Sequence, residues 1–234
     1  MMVKEAIILA GGFGTRLQKV VRDVPKPMAH IAGRPFLEYQ LDYLIAQGIR
    51  RVIFSLGYLP EVIMSHFGDS YGSLHLCYAI EPEPLGTGGA IAFAAKQVEG
   101  EAFWVFNGDS LFEVDLQKME RFHFERHTDF TLALRAVDDV SRYGAVETDE
   151  MGIITRFQEK DTVPRKGVIN GGIYLVNGAS FLGNAPEGKF SVEKTFFMPD
   201  DRPLSMAGIV SNGYFIDIGI PEDYQRAQHE FLQR

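Results

Sequence analysis

Over its first 125 residues the chain alternates short apolar runs with stretches of helical periodicity. The apolar runs lie at residues 6–10, 51–56, 74–79 and 102–106, and their length and β-branched or aromatic content read as strands. Helical patterns fall at 35–47, 60–67, 88–97 and 116–126. In the clearest, Leu37, Leu41, Leu44 and Ile45 stand at i, i+4, i+7 and i+8, with Pro35 suited to the first turn and Gly48 to the stop just past the end. Strand and helix in this rhythm build βαβ units, hence a mostly parallel sheet with helices on both faces. After residue 125 the pattern changes. Segments 130–137, 144–148, 153–158 and 168–176 read as strands with few helices between them, followed by a last helix at 221–232. They predict a small, partly antiparallel subdomain over the carboxyl edge of the first sheet. No linker rich in Pro, Gly or Ser interrupts the chain, so residues 1–234 are expected to form one α/β domain with parts 1–125 and 126–234.

Composition removes several classes of function. Lys and Arg number 23 against 31 Asp and Glu, a formal charge of −8, which argues against a surface that grips nucleic acid or anionic lipid while leaving room for a local basic pocket. The single cysteine, Cys77, excludes an internal disulfide and cysteine-rich zinc or iron–sulfur sites. In its setting, LHLCYA, it reads as a buried strand residue rather than a catalytic thiol. No apolar run approaches the roughly 18 residues of a membrane span, and the short apolar start ending in glycines is wrongly flanked for a signal peptide. A cytoplasmic location is expected. The six histidines show no metal-ligand spacing; His123 and His127, at i and i+4, are expected on a solvated helix face with the charged stretch 120–126.

The chemistry begins at residues 9–17, LAGGFGTRL, directly after the first strand. Gly11, Gly12 and Gly14 let the backbone bend sharply and approach a ligand, and N–H groups in such a turn can cradle phosphate oxygens. Thr15 adds a hydroxyl, and Arg16 a planar cation that can hold phosphate through two parallel hydrogen bonds. The dinucleotide fingerprint would need a third glycine where Leu17 stands, and no Gly-Lys-Ser/Thr run of a P-loop exists. A plain tight turn would explain the glycines alone. Thr15, Arg16 and the motifs further along favour a phosphate site.

The segment resembles the signature of the sugar-phosphate nucleotidyltransferases, and the resemblance continues along the chain. VPKPMAHIAGRPFLEY (residues 24–39), EPEPLGTGGAI (81–91), FNGDS (106–110), FQEK (157–160), NGGIY (170–174) and DIGIPEDY (217–224) match that family's later motifs in order. The resemblance implies a Rossmann-like three-layer α/β/α fold, a nucleotide-binding part in 1–125 and a sugar-binding part in 126–234. It implies transfer of a nucleoside monophosphate from a triphosphate to a sugar 1-phosphate, with pyrophosphate leaving. Both reactants are polyanions, so the protein must screen repulsion, align the attack and stabilise transition-state charge. No covalent nucleophile is needed.

By that resemblance, Arg16 holds the leaving pyrophosphate and Lys26, stiffened between Pro25 and Pro27, meets the phosphates at the reacting centre. Asp109 is expected to act in catalysis and, with Asp217, to hold Mg²⁺. Leu9, Ala10, Gly11, Gly12, Gly14, Thr15, Glu81, Gly86, Thr87 and Gly108 are expected around the nucleotide. Gly144, Glu159, Lys160, Asn170 and Gly171 are expected around the sugar phosphate, with Gly171 and Gly172 either leaving room for a seven-carbon sugar or serving strand packing. Partners are therefore small molecules, and assembly into a homo-oligomer stays open.

Two other readings compete. A catalytically dead binding subunit would be expected to lose the metal aspartates or the lysines, all of which are present. A nicotinamide-dependent dehydrogenase is disfavoured by Leu17. Within the enzyme class, PLGTGGAI, FSVEK (190–194) and IDIGIPEDYQRAQ are similar to the short bacterial D-glycero-α-D-manno-heptose 1-phosphate guanylyltransferases. Val192 replaces the Leu or Phe of that group's motif, and Gly171 stands where Ala is common. Guanine rests on resemblance alone, since glycines reading through backbone do not name a base. The runners-up are uridylyl- or thymidylyltransferases of a hexose or amino-sugar 1-phosphate and mannose 1-phosphate guanylyltransferases.

Overall fold

The structure is a computed structural model that describes residues 2–12, 17, 21, 23–141, 143–158 and 164–233. Strand β1 (Glu5–Leu9) leads past a 3₁₀ turn (Lys26–Met28) and a small hairpin, β2 (His30–Ile31) and β3 (Arg34–Pro35), into helix α1 (Phe36–Ala46). There follow β4 (Arg51–Leu56), α2 (Pro60–Phe67), β5 (Ser70–Tyr71), β6 (Leu74–Ile80), α3 (Gly86–Ala95), β7 (Ala102–Asn107), β8 (Ser110–Phe112) and α4 (Leu116–Arg126). The rest comprises β9 (Phe130–Val137), β10 (Val146–Thr148), β11 (Ile154–Phe157), β12 (Gly167–Asn177), α5 (Gly178–Asn184), a one-turn π-helix (Glu193–Phe197), β13 (Met206–Ser211), β14 (Phe215–Asp217) and α6 (Pro221–Phe231).

Eight strands form one sheet in the order β13-β9-β12-β7-β1-β4-β6-β5. Strands β6, β4, β1 and β7 run parallel, as do β9 and β13; β12 lies antiparallel between β7 and β9. Alternate residues of the central strands feed two cores. Ala6, Ile8, Trp104 and Phe106 join Leu37, Leu41, Ile63 and Met119 on the face of α1, α2 and α4. Ile7, Phe103 and Val105 join Ile91, Ala94, Phe181 and Phe196 on the face of α3, α5 and the π-helix. Strands covered on both sides must be apolar at every position, which is why these runs show no alternation. A third cluster packs α6 through Ala227 and Phe231 onto Phe36, Ile216 and Ile218.

The α/β expectation is met, and so are the five helices. The four later strands, expected together in the added subdomain, divide instead. Segments β9 and β12 continue the main sheet, because both are apolar on both faces: Leu132, Leu134, Tyr174 and Val176 enter one core while Ala133, Ile173 and Leu175 enter the other. Only β10 and β11, each with a single buried position and otherwise half-buried or exposed ones, make the separate antiparallel ribbon. Cys77 is a strand residue, as expected, but it is half-buried rather than buried.

The histidine expectation fails for His123. It is 2 % exposed, turned inward from α4, with Nδ1 2.9 Å from the hydroxyl of Thr131, which in turn meets Thr128. His127 caps the helix in left-handed backbone. Burial disfavours the imidazolium and pulls the His123 pKa down to about 4. A value depressed below that of the unfolded chain means stability present at neutral pH and lost as the pH falls. Between pH 7.5 and 5 this one group should cost about 2 kcal/mol. Urea unfolding of the wild type and His123→Gln at both pH values isolates it: the difference between the two proteins should shrink at pH 5, and a constant difference would contradict the buried neutral imidazole.

Candidate active site

The carboxyl ends of β1, β4 and β7 meet at one edge of the sheet, where an open α/β fold places its ligand crevice. A cavity of about 440 Å³ opens there, lined by Leu9, Ala10, Gly11, Gly12, Lys26, Glu81, Gly86, Thr87, Asn107, Asp109 and Glu193 among others. A second, of about 690 Å³, lies toward the later half of the chain, with Tyr143, Gln158, Asn170, Gly171, Tyr174, Phe215 and Asp217 in its wall. The two share Asn107, Asp109 and Glu193.

Backbone geometry builds that junction. Asp109 sits in the turn between β7 and β8, whose N–H at Gly108 donates to Leu9 O at 3.0 Å. A methyl group on Gly108 would meet Leu9 O at 2.7 Å, so glycine is required for close packing, and Gly108 lies beneath the cavity rather than in its wall. Strand β14 pairs antiparallel with β8, setting Asp217 opposite Ser110, and Ile218 N–H donates to Asp109 O at 2.9 Å. The two aspartates, one in the β7–β8 turn and one at the end of β14, are thus brought together from distant parts of the chain.

Lys26 reaches the same point from its 3₁₀ turn. Its ammonium, on a side chain only 10 % exposed, pairs with Asp109 Oδ2. Gly219 leaves space for it: a Cβ there would stand 3.0 Å from Lys26 Nζ and 2.7 Å from Asp217 Oδ1. Asp217 Oδ1 accepts from Gly219 N–H at 2.6 Å. Burial and the negative charge of Asp109 push the Asp217 carboxyl up to about 6, against the pull of Lys26 and that hydrogen bond. A crowded carboxylate pair of this kind suits a hard divalent cation, which prefers oxygen ligands and keeps further positions for water and phosphate.

Each wall is fixed in its own way. Glu81 accepts from Ser55 Oγ (3.0 Å) through one oxygen and from Leu85 N–H (3.0 Å) through the other, so its carboxylate is held at the rim. Gly86, at φ +72°, faces Phe190 O, and Gly88 and Gly89 donate to that same carbonyl. Glu193 Oε2 accepts from Thr87 (2.7 Å) and Ser191 (2.6 Å), tying the first cavity to the π-helix. In the second cavity, Asn170 Nδ2 donates to Tyr174 Oη at 2.8 Å and its Oδ1 accepts from Gly172 N–H at 2.9 Å, across an irregularity of β12.

Several expectations change. Gly171 and Gly172 do not hold open space. Cβ atoms there would strike the Phe112 ring at 2.4 Å and Asn107 Nδ2 at 2.6 Å, so both glycines serve close packing. Gly144 is buried and lines neither cavity. Gly14, Thr15, Arg16, Glu159 and Lys160 lie outside the described residues. Glu193, Asn107 and Tyr174 were not singled out from sequence. Glu193 lies inside the FSVEK motif, Asn107 inside FNGDS and Tyr174 inside NGGIY, so the motifs carried a signal for all three.

The raised Asp217 carboxyl has a measurable consequence. Its folded-state pKa lies above that of the unfolded chain, so the folded protein holds the extra proton below about pH 6 and loses that stabilisation as the pH rises through 6. Without divalent cation at pH 7.5, Asp217→Asn should therefore be more stable than wild type by about 1–3 kcal/mol in urea unfolding. Its turnover should fall roughly a hundredfold. Loss of stability on this substitution would refute the repelling pair.

The family model described as nucleotidyl transferase matches residues 5–234. A D-glycero-α-D-manno-heptose 1-phosphate guanylyltransferase of Aneurinibacillus thermoaerophilus is 46 % identical over 226 residues, covering 97 % of each chain. One of Campylobacter jejuni is 44 % identical over 94 % of this chain and 96 % of its own. The crystal structure of HddC from Yersinia pseudotuberculosis complexed with GMP-PN superposes with a TM-score of 0.87 at 39 % identity, covering 98 % of this chain and all of that one. Two joined cavities at the carboxyl edge of a mostly parallel sheet, a family match over nearly the whole length and relatives alike from end to end lead to one conclusion: the chain belongs to the nucleotidyl transferase family.

Proposed function

We propose that the protein transfers GMP from GTP to D-glycero-α-D-manno-heptose 1-phosphate, giving the GDP-heptose and pyrophosphate. The observation that carries this reading is the junction: two cavities of substrate size that share Asp109, with Lys26 and Asp217 at the same point. One takes the nucleoside triphosphate, through the 1–125 part; the other takes the sugar phosphate, through the 126–234 part. The heptose and the guanine are supported by the relatives that match along their whole length.

The reaction forms one bond and breaks one. An oxygen of the sugar phosphate attacks the α-phosphorus in line, and the bond from that phosphorus to the bridging oxygen breaks as pyrophosphate departs with its electron pair. Lys26 lies where negative charge accumulates and lowers the repulsion between the two anions. Arg16, with Gly14 and Thr15, is assigned to the leaving pyrophosphate by its motif; Glu159 and Lys160 are assigned to the sugar hydroxyls and the sugar phosphate. Asp109 and Asp217 would hold Mg²⁺, which when bound supplies Lewis-acid stabilisation of the phosphoryl oxygens. The substrates are polyanions that do not cross a bilayer unaided, which fits a cytoplasmic enzyme.

Glu81 gives the guanine reading a chemical basis. Two oxygens of a carboxylate, each with a lone pair to spare beyond the Ser55 and Leu85 bonds, accept from the adjacent N1–H and N2–H donors that guanine alone presents. Uracil and thymine offer a single N–H between two carbonyls. Asn170, with one amide hydrogen and one lone pair left, and Glu193 offer partners to sugar hydroxyls.

A matrix of GTP, ATP, UTP, CTP and dTTP against heptose, mannose and glucose 1-phosphates, read by pyrophosphate release, tests the assignment. GTP with the manno-heptose should give the highest kcat/KM; preference for UTP or dTTP would overturn it. Glu81→Gln should cut the preference for GTP over ATP by roughly tenfold to a hundredfold, since a site that loses its acceptor leaves base donors unpaired. Lys26→Ala should lower kcat far more than it raises the KM for GTP. A change confined to KM would make Lys26 a binding residue only.

A further inference from the structure

Helix α1 turns a polar stripe toward the segment that carries Asp109. Gln40, Tyr43 and Gln47 stand at i, i+3 and i+7, beside core residues Leu37, Leu41 and Leu44. Each commits its polar group to the backbone of residues 107–116. The Gln40 amide donates to Asn107 O at 2.7 Å and to Ser110 O. Tyr43 donates to Val114 O at 2.7 Å and accepts from Val114 N–H at 3.2 Å, and Gln47 Oε1 accepts from Leu116 N–H at 3.1 Å.

Gln40 is 3 % exposed, and its Oε1, buried, finds no partner among the described residues. A buried unpaired acceptor is costly, and a leucine would fill the same volume without that cost. The two donors are what the position gains. Their targets flank Asp109, one residue before Gly108 and one residue after the aspartate, so a single amide bridges the turn. The other restraints on that turn, Gly108 N–H to Leu9 O and Ile218 N–H to Asp109 O, come from different strands. Removing the amide would take away both bonds beneath the site and free the turn to tilt.

We infer that Gln40 is a positioning residue for the cation site: by bridging the carbonyls of Asn107 and Ser110 it fixes the direction in which the Asp109 carboxylate meets the metal. The inference rests on the proposed role of Asp109 as a ligand. Groups that orient metal ligands typically change affinity tenfold or more when removed.

The test uses Mn²⁺ alone, followed by its electron paramagnetic resonance, so that affinity is read without turnover. Gln40→Met keeps the shape and removes both donors. It should raise the Mn²⁺ dissociation constant about tenfold and shift the Mg²⁺ dependence of kcat the same way, leaving the KM for GTP at saturating metal unchanged. Tyr43→Phe loosens the same helix contact further along at Val114; it should lower Tm and leave Mn²⁺ affinity unaltered. Asp109→Asn is the reference. If it binds Mn²⁺ like wild type, the metal assignment itself fails. If it binds weakly while Gln40→Met binds normally, Gln40 is structural only and the inference is overturned. Should Gln40→Met not fold, Gln40→Asn, whose amide falls one methylene short, decides: weakened Mn²⁺ binding supports the role and unchanged binding ends it.

Discussion

Two carboxylates held close together, one in the turn before β8 and one at the end of its partner β14, with one ammonium against them, govern the arrangement around them. Asp109 and Asp217 repel, and the fold forces them together through the β8–β14 pairing and the Ile218-to-Asp109 backbone bond. Lys26 offsets part of that repulsion, and its stiff Pro25–Pro27 setting keeps the ammonium there. The glycines nearby follow from the crowding. Gly108 lets the aspartate turn press on β1, and Gly219 lets the ammonium and the second carboxylate approach.

Around this centre the two cavities are mechanically joined. The base-side loop reaches the π-helix through Thr87 and Glu193, and through the shared carbonyl of Phe190. Glu193 belongs to both walls. A π-turn widens the helix locally and is often found at functional positions; here it brings a carboxylate to the point where the two substrates would touch.

Much of this was legible in the sequence, for identifiable reasons. Helix α1 could be read because Leu37, Leu41 and Leu44 keep helical spacing and Gly48 ends it; α2 because Pro60 and Gly68 bracket it. That Asp109 and Asp217 would lie near one another could be read because motif context and strand-end position agree, and Lys26 because its motif holds it between two prolines. What escaped depends on neighbours distant in sequence. The apolar content of β9 and β12 marked them as strands, but which strands they joined was set by pairing, not by period. Strand β13 is short and contains Gly208, so its local signal is weak. His123 looked solvated because polar neighbours flank it, whereas its own ring turns inward to Thr131. The glycines of 171–172 suggested room because a missing side chain looks like space in sequence and can be filled by a neighbour in three dimensions.

Strand β12 carries a consequence for how the chain comes to its final state. It lies in the middle of the sheet, between β7 and β9, yet it is among the last strands in sequence. Until residue 167 onward is in place, β7 presents an unpaired edge running from Ala102 to Asn107, with Phe103, Trp104, Val105 and Phe106 exposed along it. An apolar edge left open invites pairing with another chain. During synthesis, some sixty residues separate that edge from the strand that seals it, so the nascent protein passes through a stage in which β7, paired with β1 on one side, has no partner on the other. The inward placement that gives the finished enzyme a continuous sheet beneath both cavities therefore delays closure of that sheet to a late step, and the interval before it is the point at which this chain depends most on being kept apart from its copies.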